Sequence, residues 1–196
     1  MSTGTVRNGI DVDQLVGTIN AIKDDGGLAT FTWRARSVWE QGTRSTGEIG
    51  RFIHNGAEDT SRTRAFALQG DEPPVLLGEN AGPNAVELLL QALAFCYAVG
   101  YAANAAARGI EISSMEYEVE GDFDVRRFLG LDGPRAGFTE IRARARVSSP
   151  NTSAEDLEDL FRYVQETSPV RDGLANPTPV VSTLEVVGHR TEMVSS

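Results

Sequence analysis

The sequence contains very few of the side chains that build metal sites and disulfides. Its 196 residues include one cysteine, Cys96, and two histidines, His54 and His189. A single cysteine excludes an intrachain disulfide, and so few imidazoles and thiols argue against a zinc site. We expect both histidines to be solvated surface side chains, and we expect neither a metal nor a cofactor.

Several motifs that identify common enzyme classes are also missing. The chain has no phosphate-binding glycine loop, no dinucleotide fingerprint, no nucleophile-elbow serine and no paired-histidine zinc helix. Basic side chains are scarce relative to acidic ones, 18 against 28, so the formal net charge is -10. Such a field repels phosphate backbones and anionic lipid surfaces, which argues against nucleic-acid and membrane partners.

The first residues carry no apolar segment of the kind found in secretory signal peptides, so we expect a cytoplasmic protein. One uncharged stretch, residues 88–107, is about long enough to span a bilayer. It is rich in alanine, however, it includes Gln91, Gly100 and Asn104, and acidic amphipathic strands follow it. We therefore interpret it as the core helix of a globular domain.

The periodicity of apolar residues predicts three helices, at residues 11–23, 85–108 and 154–166. Each begins with a capping pair, respectively Asp11 with Gln14, Asn84 with Glu87, and Ser153 with Asp156. The second helix is apolar on every face, so it must be surrounded by protein on all sides. One chain of this size has too little material to do so, which favours a homodimer in which two such helices bury each other.

The remaining segments indicate antiparallel strands. Residues 28–69 resemble a series of short strands, and another strand is expected at about 179–187. Between them, an acidic row at positions 116–124 and an arginine row at positions 142–146 each alternate with apolar residues. If the two rows pair, Glu116 lies near Arg146 and Glu120 near Arg142. We do not interpret the acidic row as a cation site, because same-face neighbours on a strand are about 6.5 to 7 Å apart.

Cys96 lies in the middle of the apolar helix, where a lone cysteine usually acts as a small core residue. Its surroundings suggest more. Residues 82–96, GPNAVELLLQALAFC, closely resemble the cysteine helix of the OsmC/Ohr family of organic hydroperoxide detoxifiers. The likeness extends over about residues 30–187 through short segments in the family's order, at 107–110, 120–122, 128–131, 137–138, 168–170 and 176–180.

This resemblance implies an α+β fold in which antiparallel sheets pack on a long buried central helix, and an intertwined homodimer. It also implies that the Cys96 thiolate attacks a peroxide oxygen, giving a sulfenic acid and an alcohol. The family lowers the pKa of its cysteine with an arginine that a glutamate tethers. In this sequence Arg44 is the position most like that arginine, with Arg64 as its rival, and Glu87 is the available carboxylate. We expect an N-terminal helical extension at 1–27, the OsmC-like domain at 28–188 and a loose tail at 189–196.

The sequence departs from the family pattern at two positions. The hydroperoxide reductases place the glutamate ten residues before the cysteine, where this chain has Val86, while Glu87 is also explained by its capping pair. The second, resolving cysteine is replaced by Ser168. Two hypotheses follow. Either the protein is a peroxidase whose Cys96 is reduced by an external thiol, or it is a non-catalytic protein that binds a small apolar ligand in the dimer groove.

Overall fold

The computed structural model describes residues 4–187, which form a mixed α+β fold with antiparallel sheets. The four helices of this part are α1 (Val12–Asp24), α2 (Ala85–Ala107), α3 (Ala154–Thr167) and α4 (Pro169–Ala175). The ten strands are β1 (Val6–Arg7), β2 (Ile10–Asp11), β3 (Phe31–Thr32), β4 (Arg36–Gln41), β5 (Arg44–Ile49), β6 (Ile53–His54), β7 (Ala57–Glu58), β8 (Phe66–Gly70), β9 (Ser114–Asp122) and β10 (Glu140–Ser148). The α+β prediction and the three predicted helices are confirmed.

The β9–β10 hairpin shows the register predicted from its two charged rows. Arg142 pairs with Glu120 and Arg146 with Glu116 across the antiparallel ladder. The nearest side-chain atoms are 3.0 Å apart in the first pair and 3.3 Å apart in the second. All four side chains are accessible to water, which screens each ion pair, so the two pairs contribute little to stability. Their main effect is on register, because a one-residue slip would put this charged face against the core.

The opposite face of the hairpin packs on α2, and α3 packs beside it. The core consists of residues from α2, α3 and the turn after α2: Leu93, Tyr97, Tyr101, Ala105, Ile110, Leu160 and Val164. Tyr101 satisfies its buried hydroxyl by donating to the Leu157 carbonyl at 3.0 Å. Gly100 allows the close approach of the two helices, since a Cβ at that position would lie 3.3 Å from Val164 Cγ1.

The expectation that α2 is buried on all sides is not met within one chain. Its core face is covered by β9, α3 and α4, but Phe95 is 67% exposed and Val99 is 65% exposed. These two residues are four positions apart and therefore share one face of the helix. The physical reason is that one hairpin and two short helices pack on the core side of α2 and leave this face uncovered.

A second group of apolar side chains is exposed on the three-stranded sheet with strand order β4-β5-β8. Val38, Trp39, Phe66 and Leu68 are between 38% and 69% exposed on this sheet. A short neighbouring sheet, β3-β6-β7, carries further exposed aromatic residues, Phe31 and Trp33 among them. The N-terminal half of the chain therefore has the residue types of a core but no covering layer of its own.

In the C-terminal part, one sequence prediction is wrong and one helix was not predicted. No strand forms at 179–187 within the described residues; this stretch is irregular, and Val181 and Leu184 are 90% and 87% exposed. A strand needs a partner for its backbone groups, and this segment pairs with none of the described strands. Conversely, α4 was not predicted, although Ser168 caps it and Pro169 occupies its first turn, a favourable position for proline.

The N-terminal segment is attached to the end of α2 by three hydrogen bonds. Arg7 donates to the Ala106 carbonyl at 3.0 Å, and the Asn8 side chain donates to the Ile110 carbonyl at 3.0 Å. The Ile112 N–H in turn donates to Asn8 Oδ1 at 2.9 Å. The segment that the sequence marks as an extension therefore covers the C-terminal end of α2. The tail at 189–196, with His189, lies outside the described residues.

Candidate functional site

Cys96 meets Ser168, a residue 72 positions away in the sequence. The cysteine lies in the middle of α2 and is half-buried, and its Sγ is 3.1 Å from Ser168 Oγ. Ser168 is 5% exposed and occupies the junction between α3 and α4. The position that the family resemblance gives to the second cysteine is thus in contact with the first.

The hydrogen bonds of Ser168 determine which way its proton can point. Its Oγ accepts from the Arg171 N–H at 3.2 Å as the cap of α4. When Cys96 is ionised, its sulfur can only accept, so the Ser168 hydroxyl donates to it. Ser168 can therefore donate a hydrogen bond to a thiolate, although it cannot form a disulfide.

Glu87 is engaged at the start of α2, away from the sulfur. Its carboxylate accepts from the Asn84 N–H at 2.8 Å, and its own N–H donates to Asn84 Oδ1 at 2.9 Å. The predicted capping box is thus confirmed. Cys96 lies nine residues further along the helix, which corresponds to about 14 Å along its axis.

Arg44 begins β5 and forms an ion pair with Glu79. Its guanidinium is mostly covered, and its buried Nε has no hydrogen-bond partner. Arg64, the rival position, is exposed. Within residues 4–187 no hydrogen bond or ion pair links Cys96 to either arginine or to Glu87. A single chain therefore brings Cys96 and Ser168 together and leaves the other predicted site residues apart from them.

Asp71 organises the loop beside Arg44, a role that no motif in the sequence predicts. Asp71 is 4% exposed, and its carboxylate accepts from Thr43 Oγ1 at 2.6 Å. It also accepts from the N–H groups of Glu72 and Glu79 at 2.9 Å and of Ala81 at 3.1 Å. The Thr43 hydroxyl and these backbone N–H groups hold the pKa of the Asp71 carboxyl far below its usual range. The carboxylate thus ties the loop at 72–81 to the β4–β5 hairpin.

We expect Asp71→Asn to lower the stability of the fold at pH 7, because an amide replaces a carboxylate that accepts four hydrogen bonds. A carboxyl whose pKa is depressed by folding stabilises the protein above its unfolded pKa, and this contribution is lost as the pH falls toward the folded pKa. The difference between the two proteins should therefore shrink below about pH 4. Urea unfolding midpoints at pH 7 and pH 3 test this, with Asp132→Asn, a change at an exposed position, as control. An equal difference at both pH values would contradict the role given to the charge.

The structure corrects the expectation for His54. The ring stacks on Phe31 with centroids 4.4 Å apart, and its Nε2 donates to the Leu28 carbonyl at 2.9 Å. It is a structural side chain of the small sheet, rather than a freely solvated one. No group of three or more histidine, cysteine, aspartate or glutamate side chains suited to a metal occurs among the described residues.

By length and composition alone, α2 could cross a bilayer. The core helix of a globular protein passes the same test, and α2 packs on β9, α3 and α4 through the core residues given above. We therefore treat this helix as the scaffold of the cysteine site.

The chain is a mixed α+β domain with a cysteine in its central helix. Comparison with known proteins identifies the family to which this domain belongs. The model of the OsmC-like protein family matches residues 78–183, so the chain belongs to that family. This span includes Cys96, Glu87 and Ser168, while Arg44 and Arg64 precede it. A comparison with curated protein sequences returns no significant match.

Solved structures share the fold at low sequence identity. An OsmC-like protein from Mycoplasma pneumoniae is 21% identical, with a TM-score of 0.55 over 74% of this chain and 87% of that one. An OsmC-like protein of unknown function from Vibrio cholerae is 13% identical, with a TM-score of 0.54 over 72% and 92%. An organic hydroperoxide resistance protein, OsmC, from Legionella pneumophila is 16% identical, with a TM-score of 0.49 over 73% and 88%.

Proposed function

We propose that the protein is a thiol-dependent peroxidase that reduces organic hydroperoxides, with Cys96 as its nucleophile. The observation that carries this proposal is the contact of the Cys96 sulfur with the Ser168 hydroxyl in the half-buried centre of α2. Membership of the OsmC-like family and the resemblance of residues 82–96 to the family's peroxide-reacting helix support it. The apolar surroundings of the sulfur suit a hydrophobic peroxide.

The chemistry is a two-electron transfer from sulfur to oxygen. The thiolate attacks one peroxide oxygen, the O–O bond breaks, and the alkoxide leaves and takes a proton to become an alcohol. The sulfur becomes a sulfenic acid. In such attack the thiolate is the nucleophile. The Ser168 hydroxyl can donate a hydrogen bond to the charged sulfur.

Reduction of the sulfenic acid must come from outside the chain. Cys96 is the only cysteine, and Ser168 cannot condense with it. One external thiol condenses with the sulfenic acid and releases water, and a second thiol releases Cys96 by exchange. A reducing compartment supplies such thiols, so the proposed location is the cytoplasm.

The proposal includes a homodimer, because one chain leaves α2 and the β4-β5-β8 sheet with exposed apolar faces. Pairing of two chains would cover Phe95 and Val99 and complete the burial of the central helix. We expect the same pairing to place an arginine near each Cys96. Arg44 is the first candidate and Arg64 the second, with Glu87 as the carboxylate that tethers the guanidinium.

A non-catalytic function is the second candidate, and one observation favours it. Ser168 cannot act as a resolving thiol, yet it is buried at the junction and contacts Cys96. A site of this kind keeps its packing without a redox cycle of its own. In that case the protein binds a small apolar ligand in the dimer groove, and Cys96 only packs the helix.

Direct capture of the oxidised sulfur separates the two functions. We expect reduced protein treated with one equivalent of cumene hydroperoxide to gain a sulfenic acid on Cys96, which a dimedone-type reagent traps stoichiometrically. Intact mass spectrometry measures the adduct, and Cys96→Ser should show none. Circular dichroism of Cys96→Ser checks that the fold is kept. Absence of an adduct on the wild-type protein over minutes would reject the peroxidase and leave the binding function.

A further inference from the structure

A cavity of about 690 Å³ lies between α2, β10 and α4, and its lining includes Tyr97, the residue that follows Cys96. Its apolar wall includes Leu93 and Tyr97 from α2 and Phe138 from the segment before β10. The volume lies within the range of small-molecule sites in proteins. Its mixture of apolar wall and charged rim suits a small ligand with an ionised group.

Two arginines give this cavity a positive rim. Arg171 extends from α4, and Arg135 comes from the segment before β10, where its guanidinium passes over Gly137. Within the part of the chain that the structure describes, neither guanidinium is in an ion pair. The one carboxylate of the rim, Glu140, already accepts from Arg142 Nη1 at 2.9 Å. The rim is therefore locally cationic in a protein whose net charge is -10.

The cavity and the sulfur are connected through α4. The Arg171 N–H donates to Ser168 Oγ at 3.2 Å, and that Oγ is 3.1 Å from Cys96 Sγ. Tyr97 follows Cys96 in the chain and lines the cavity. Burial raises the pKa of the Tyr97 phenol, and the Arg171 charge acts on it in the opposite direction, which agrees with the guanidinium lying close to this wall.

We infer that Arg135 and Arg171 bind the carboxylate of the external thiol that reduces Cys96, so that the reductant is an anionic low-molecular-weight thiol. This inference rests on the proposed peroxidase function. Guanidinium groups bind carboxylates through paired, charge-assisted hydrogen bonds. A protein with a strongly negative net charge otherwise repels anionic thiols, and the local arginine pair offsets that repulsion at the site where an outside thiol is required.

Regeneration of the Cys96 thiol requires no reductant other than the anionic thiol. The anionic thiol R–SH attacks the sulfenic acid, an S–S bond forms, the S–OH bond breaks, and water leaves. A second R–SH then attacks the mixed disulfide, which regenerates the Cys96 thiol and releases R–S–S–R. Two thiols are oxidised for each peroxide reduced.

Thiol–disulfide exchange tests the cavity without any need for peroxidase activity. Reduced protein is mixed with the dianionic probe 5,5′-dithiobis(2-nitrobenzoate) or with the neutral probe 4,4′-dithiodipyridine, and the two rates are expressed as a ratio. The ratio cancels changes in the reactivity of Cys96 itself. We expect the Arg135→Gln/Arg171→Gln double variant to lower the anionic-to-neutral ratio by about tenfold, the usual consequence of losing charge-assisted hydrogen bonds. The control is Arg162→Gln, which removes an exposed arginine of α3 that pairs with Asp159.

Reduction of the sulfenic acid, formed without a trapping reagent, then tests whether the bound thiol carries a carboxylate. We expect 3-mercaptopropionate to reduce oxidised Cys96 faster than 2-mercaptoethanol does, after correction for thiol pKa, and only with both arginines present. An unchanged probe ratio in the double variant overturns the inference. Charge selectivity for a carboxylate-bearing peroxide, without selectivity among thiols, overturns the assignment of the reductant. If no sulfenic acid forms at all, the proposed function fails, while the probe ratio still reports on the cavity.

Discussion

Ser168→Cys is expected to give the protein an intrachain disulfide with Cys96 after one turnover with peroxide. The Ser168 Oγ already lies 3.1 Å from the sulfur, so a thiol at this position needs only a small adjustment to reach bonding distance. The sulfenic acid would then be captured within the chain, and the need for an external thiol in the first reductive step would disappear.

The energetic balance of this substitution favours the oxidised form. A cysteine caps α4 less well than Ser168 does, which costs about 1 kcal/mol. Closing a loop of 72 residues stabilises the oxidised protein by about 4 kcal/mol on chain-entropy grounds. The reduced variant should therefore unfold slightly earlier than the wild-type protein, and the oxidised variant clearly later.

Intact mass and non-reducing electrophoresis measure the outcome. The oxidised Ser168→Cys chain should lose the mass of two hydrogens, remain monomeric under denaturing conditions, and give no dimedone adduct. Ser168→Ala is the control, because it loses the cap and the hydrogen bond to sulfur but cannot form the bridge. A persistent sulfenic acid in Ser168→Cys would show that the two side chains do not come together in solution as they do here.

The elements of the fold that follow from local pattern were predictable from the sequence. The charged rows of β9 and β10 determined their pairing, because this register places each of the three arginines opposite a glutamate and keeps the apolar face inward. The start of α2 was equally clear, because Asn84 and Glu87 can satisfy each other's backbone groups reciprocally. Both signals lie within a few residues or within two adjacent strands.

Features that depend on distant segments were not accessible in this way. The buried role of Asp71 requires a loop that folds back to offer three N–H groups, and no spacing in the sequence marks that geometry. The strand expected at 179–187 has strand-like composition, but composition does not supply the edge that it would pair with. The meeting of Cys96 and Ser168 could be expected only through the family resemblance, since α3 and the hairpin separate them along the chain.

The exposed face of α2 is where the burial predicted from the sequence differs from the burial found in a single chain. In the proposed homodimer, a second copy supplies the part of the environment of the helix that one chain lacks. A helix with Phe95 and Val99 exposed in water is unfavourable, because each large apolar side chain loses about 1.5 to 3 kcal/mol of burial free energy. Association of two copies is the simplest way for the protein to recover it.

Phe95→Glu is accordingly expected to abolish dimerisation at micromolar concentration. Phe95 is 67% exposed in one chain, and in the proposed dimer it is an aromatic anchor at the centre of the paired helices. Loss of such an anchor costs about 2 kcal/mol or more, and burial of an unpaired carboxylate adds to this, so the dissociation constant should rise by a factor of about 100 or more.

Sedimentation equilibrium over a range of protein concentrations measures this shift, and Phe128→Glu provides a matched control. Phe128 is 72% exposed in the segment after β9, outside the helix face proposed to pair, so its replacement should leave the dissociation constant within about twofold of the wild-type value. Peroxide-dependent capture of Cys96 in the monomeric Phe95→Glu protein then distinguishes the roles of the partner. If the second copy brings Arg44 or Arg64 to the sulfur, the rate of capture should fall when the dimer is lost. Undiminished capture in the monomer would show that Ser168 and the chain's own residues are sufficient to activate the thiol.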